Sequence, residues 1–81
     1  MTLIEAPLAK PLKILDIVGG ETVHRRLMAL GFHKGALVEL LSLAIMRGPI
    51  LIRHLSSDTQ TALGRGVAGK ILVEVMDDDR P

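Results

Sequence analysis

Gly20-Glu-Thr-Val-His-Arg-Arg-Leu-Met-Ala-Leu-Gly31-Phe-His-Lys-Gly35-Ala-Leu-Val-Glu-Leu-Leu41 reads as a short helix, a glycine stop, a tight connection and the start of a strand. Val23, Leu27 and Leu30 recur at helical spacing and share a face, with Glu21, His24 and Arg25 round the other side. Gly31 stands where a left-handed residue would end the helix, and Phe32 falls where it can pack back on Leu27, as in a Schellman motif. After Gly35 the period changes to two. So short a helix is not stable alone in water, so it must cap something built of strands.

The rest of the chain supplies those strands. Residues 1–11 carry Pro7 and Pro11 and read as an extended N-terminal segment, with a single turn of helix around Leu3 to Ala6. Lys13 to Val18 is strand-like and breaks at Gly19-Gly20. Ala36 to Leu43 places Val38 and Leu40 on one face, with Leu37, Glu39, Leu41 and Leu43 on the other. Met46-Arg47-Gly48-Pro49 is a turn and Ile50 to Leu55 returns as the second arm of a hairpin. After a turn at Ser56-Ser57-Asp58 come Thr59 to Leu63 and finally Ile71 to Val75. The tail Asp77-Asp78-Asp79-Arg80-Pro81 reads as an acidic, flexible end. Five short strands and one helix between the first two favour an all-β fold closed into a small barrel.

Composition narrows the function classes. Eighty-one residues make one domain, and without cysteine there is neither a disulfide nor a thiolate metal site. A net charge of +1 and a single aromatic residue leave neither an electrostatic footprint nor stacking platforms for nucleic acid. Apolar residues make up 48% of the chain before its glycines are counted, where a soluble domain reaches roughly 45–50% with glycine included. An apolar patch is therefore expected at the surface, for a partner or for self-association. The N-terminus lacks the basic start and continuous apolar run of a signal peptide, and no stretch is long enough to span a bilayer, so a soluble chain is expected.

The order Arg26-Leu27-x-x-Leu30-Gly31-Phe32-x-x-Gly35-x-x-Val38-x-Leu40, followed by Gly48-Pro49-Ile50-x-Ile52, Ala62-Leu63, Ala68, Ile71 and Val73, resembles the FeoA family of bacterial ferrous-iron transport. The resemblance runs over about residues 12–76, taken as the domain proper, and implies an SH3-like five-stranded barrel. It further implies a non-catalytic adaptor in the cytoplasm, binding the GTP-binding domain of the FeoB-type membrane iron transporter at the inner face of the membrane. Leu27, Leu30, Gly31, Gly35 and Pro49 are fold residues in this motif, with Leu30 read as core. One departure stands out. The family's turn before the last strand is charged and helix-favouring, whereas Gly64-Arg65-Gly66-Val67-Ala68-Gly69-Lys70 carries three glycines, each costing roughly 1 kcal/mol of helicity. A looser turn is expected there.

Chemistry-bearing motifs are few. The glycines spell G-x-G-x-x-G, but a dinucleotide site needs a βαβ unit around it, and only a strand and a tail follow. No nucleophile stands next to a base and no carboxylates pair on a rigid element, so no enzyme is expected. His24, His33 and His54 are the chain's imidazoles and the weak metal candidates, with no i, i+3 or i+4 pair among them. No cofactor is implied beyond a weak or adventitious divalent ion. For partner contact the candidates are Arg25, Arg26, Met28, Phe32 and Lys34: a basic rim, to which His24 adds, round an apolar centre of Met28, Phe32 and Leu30, with Leu41, Leu43 and Met46 as the apolar alternative. That second set belongs to a hairpin face that also carries Ile45, Leu51 and Leu55. Two rival readings remain: a metal-linked regulatory domain related to the C-terminal SH3-like domain of iron- and manganese-dependent repressors, and a metal chaperone leaning on the three histidines.

Overall fold

The computed structural model describes residues 1–43 and 48–76. A single 3-10 turn at Leu3–Glu5 precedes β1 (Pro11–Ile17), α1 (Glu21–Ala29), β2 (Leu37–Ser42), β3 (Ile50–His54), β4 (Thr59–Leu63), α2 (Arg65–Ala68) and β5 (Ile71–Val75). The strands form one antiparallel sheet in the order β4-β3-β2-β1-β5, curled around a shared core as a small SH3-like barrel. Among the described residues β4 and β5 are its two ends and do not pair, so the expected closure is incomplete. The turn between β4 and β5 is bridged by α2 instead.

Alternation places Leu12 and Ile14 of β1, Val38 and Leu40 of β2, and Ile50 and Ile52 of β3 inside. Two bulges then adjust the phase. In β1 the register shifts between Ile14 and Asp16, leaving Leu15 as the extra, exposed residue. Strict alternation would have turned Asp16 inward; the bulge buries Ile17 in its place. In β2 the shift lies between Leu40 and Ser42, so Leu41 is the extra residue there.

Three expectations change. The first eleven residues belong to the domain rather than preceding it: Leu3 is fully buried, Ala6 nearly so, and Pro11 already lies in β1. Met1 and Val73 exchange backbone hydrogen bonds, and Thr2 bridges to Leu72, so the chain's start covers the outer edge of β5. The glycine-rich turn is helical, with Ala68 N–H donating to the Gly64 carbonyl at 3.0 Å and Gly69 N–H to Arg65 at 2.9 Å. Burial of Ala68 in the core outweighs the poor local propensity. Lastly, Leu30 is 48% exposed and not core. The helix ends at Ala29, and the chain reversal that follows brings Phe32, not Leu30, back over Leu27.

That reversal has the expected geometry. Phe32 N–H donates to Leu27 O at 2.8 Å and Gly31 N–H to Met28 O at 3.0 Å, the paired bonds of a Schellman stop. Gly31 has φ of +91° and Gly35 of +86°, the left-handed region that glycine enters without strain. A Cβ on Gly31 would also lie 3.1 Å from Cε1 of His54. Met46, Arg47, Ile45 and the acidic tail lie outside the described residues.

Candidate functional site

Helix α1 packs on the core through Leu27, and two clefts lie on either side of it, one against β1 and one against β4 and α2. On the first side a cleft of about 410 Å³ is bounded by Asp16, Ile17, His24, Met28, His33 and Lys34. Met28 is 62% exposed, and Lys34 is also at the surface, so these two offer the apolar centre and basic rim expected of a contact site. Arg25 is exposed as well, held by Glu21 one turn away at 2.7 Å. An exposed pair of this kind contributes only about 0.3–0.5 kcal/mol and leaves the arginine free to exchange partners.

Phe32 does not join them. It is completely buried, its ring 4.5 Å from that of His54 at an interplanar angle of 46°. Its placement among the contact residues is therefore corrected: the Schellman reversal that makes Phe32 pack on Leu27 is the reason it cannot reach a partner. Of the apolar alternative, Leu43 is exposed and Leu41 half-buried, while Met46 lies outside the described residues.

The histidines come closer together than their spacing suggests. His33 borders the cleft shared with His24 and Asp16 and also a neighbouring one lined by Gly31, Leu37 and His54. His33 Nδ1 lies 3.0 Å from the Lys34 carbonyl. His54 ends β3 inside the fold, its Nε2 enclosed and without a hydrogen-bond partner among the described residues. Burial pushes its imidazole below the ordinary value, and the neighbourhood of His33 adds to that. Among the described residues no three His, Cys, Asp or Glu side chains converge to hold a metal ion.

On the other side of α1 lies a second groove, of about 210 Å³, against β4 and α2. Val23, Leu30, Ala62, Leu63 and Val67 make it apolar, and Arg26 stands at its rim. The sequence reading placed Leu30 both in the core and in an apolar centre with Met28 and Phe32, and joined it to neither β4 nor α2. The signal was present in Arg26 and Leu30 being four residues apart on one helix face.

These surfaces belong to a chain with clear relatives. A FeoA domain model matches residues 1–75. A FeoA described as an iron uptake regulatory protein is 26% identical with a TM-score of 0.83, over 94% of this chain and 97% of that one. FeoA of Stenotrophomonas maltophilia, solved in complex with zinc, is 28% identical with a TM-score of 0.73, over 91% of this chain and 89% of that one. A manganese-dependent transcriptional repressor superposes with a TM-score of 0.84 over 94% of this chain and 36% of its own. At 17% identity that likeness is one of fold alone. No curated protein matches the chain.

Proposed function

The chain belongs to the FeoA family, and from that premise we propose that it is an accessory protein of ferrous-iron uptake. It binds the cytoplasmic GTP-binding domain of a FeoB-type membrane transporter and does no chemistry of its own. The observation that carries the reading is the FeoA match over nearly the whole chain, supported by solved FeoA structures that superpose over more than nine-tenths of it. The Stenotrophomonas protein is described as "possibly acting as a bacterial ferrous iron transport activating factor", the role this reading extends to the present chain.

The surface suits an adaptor. Lys34 and Asp16 border the cleft beside the exposed Met28, and Arg25, paired with Glu21, is exposed on the same helix, a small apolar centre with a polar rim. Among the described residues no helix is long and apolar enough to cross a membrane. In this reading the protein meets the membrane by binding the transporter at its cytoplasmic side.

Calorimetric titration against the isolated GTP-binding domain, with and without a GTP analogue, tests this. Saturable heat that is lost in Met28→Glu, a surface change that should leave the fold intact, is the expected result. Absence of heat in every nucleotide state would overturn it.

A further inference from the structure

The two edges of the sheet are not equally finished. The outer edge of β5 is occupied by Met1 and Thr2. The outer edge of β4 carries no backbone hydrogen bond to any described residue, and its only ladder is to β3. Such an edge is ordinarily blunted by charge, proline or a bulge. Thr59-Gln60-Thr61-Ala62-Leu63 has neither charge nor proline, and its register with β3 runs unbroken from Ile50↔Leu63 to His54↔Thr59. It is a regular, unprotected template for another strand.

At the Ala62–Leu63 end of this edge lies the groove between α1 and β4–α2. Its walls are Val23, Leu30, Ala62, Leu63 and Val67. At about 210 Å³ it falls below the roughly 300–1,000 Å³ typical of small-molecule pockets, a size that suits individual side chains. No carboxylate lines it, and Arg26 at its rim forms no ion pair with a described residue. The charge also selects among occupants. A second copy offering the same face would bring another Arg26 and no carboxylate to pair with this one, since a two-fold contact sets a patch against itself.

We propose that the free edge of β4 and this groove together form a docking site for an extended segment of a partner protein, apolar and acidic in sequence. The segment adds to β4 by main-chain hydrogen bonds. Its alternate side chains seat aliphatic groups against Leu30 and Val67, and a carboxylate reaches Arg26. Main-chain pairing supplies the affinity; the groove and the arginine supply the selection. Assigning the segment to the transporter rests on the function proposed above, whereas the groove itself does not.

The test uses the whole protein and a synthetic, end-capped peptide whose groove-facing positions, every second residue, carry valine and glutamate in turn, with threonine between them. Its controls are a lysine-for-glutamate version and a version N-methylated at every second residue. Amide shifts in NMR should saturate along β4 and around Val23, Leu30 and Val67, with slowed amide exchange on β4. Leu30→Glu, at an exposed position, should weaken binding by roughly tenfold or more. N-methylation should abolish it, and Arg26→Glu should reverse the preference toward the lysine peptide. No saturable shift with the wild-type protein, or binding indifferent to both N-methylation and Arg26→Glu, would overturn the proposal. Running the Leu30→Glu variant against the GTP-binding domain separates the two readings. Peptide binding without domain binding in the wild type leaves the groove standing and removes the transporter role; the reverse removes the groove alone.

Discussion

The edge of β5 and the edge of β4 begin as the same problem, a row of unpaired backbone groups at the end of a sheet, and the molecule treats them in opposite ways. At β5 the chain's own start is laid on the edge, and Leu3 and Ala6 are driven into the core behind it. At β4 nothing from the described chain covers the backbone, and the side chains nearby form an apolar groove with an arginine at its rim. The covered edge is a matter of stability. The open one is available for binding, and because it contributes little to the core it can change without unfolding the barrel. Separating these tasks lets an 81-residue domain keep one surface unsatisfied.

The comparison breaks most easily at the covered edge. Leu3→Ala should lower unfolding free energy by about 2–5 kcal/mol in urea titration, since it removes a fully buried side chain and loosens the segment that closes β5. A loss below about 1 kcal/mol would mean that residues 1–6 merely rest on the barrel.

Between the edges, His54 supplies a pH test. Its ordinary value is 6.5 and burial lowers it in the fold. The unfolded chain therefore takes up a proton that the folded chain refuses. The resulting stability is present above about pH 6.5 and is lost as the pH falls from there toward the depressed folded value. The urea midpoint should drop between pH 7.5 and 5.5, and the drop should shrink in His54→Leu. An equal drop in both proteins would show that His54 is not the group responsible.

The smallest effect belongs to the open edge. Ala62→Lys, at an exposed position on β4, should change stability by no more than about 0.5 kcal/mol. It should nonetheless abolish binding of the valine–glutamate peptide by placing a long side chain in the groove. A stability loss comparable to that of Leu3→Ala would erase the distinction between the edges.

Much of this was legible in order and spacing. The Schellman stop at Gly31 was written in Leu27, Gly31 and Phe32, because the motif depends on local dihedrals and one contact within a few residues. The inward faces of β2 and β3 followed from alternation. The candidate site was less legible. Arg25, Met28 and Lys34 were identified and do stand at the surface beside α1, whereas Phe32 was placed outside though its own motif buries it. The groove at β4 was not foreseen, since it joins Val23 and Leu30 to Ala62 and Val67, more than thirty positions away in the chain.

By itself, then, the sequence determined the helix and its stop, the strand segments, their inward residues and the family signature, all of which depend on neighbours within a turn or a period. Tertiary structure decided the rest. Bulges at Leu15 and Leu41 reset which residues face inward, packing of Ala68 made a helix of a glycine-rich turn, and residues 1 and 2 closed one edge while leaving the other open. The physical reason is range. Dihedral preference and periodicity act between neighbours, whereas burial and edge pairing depend on what distant segments bring to the same place.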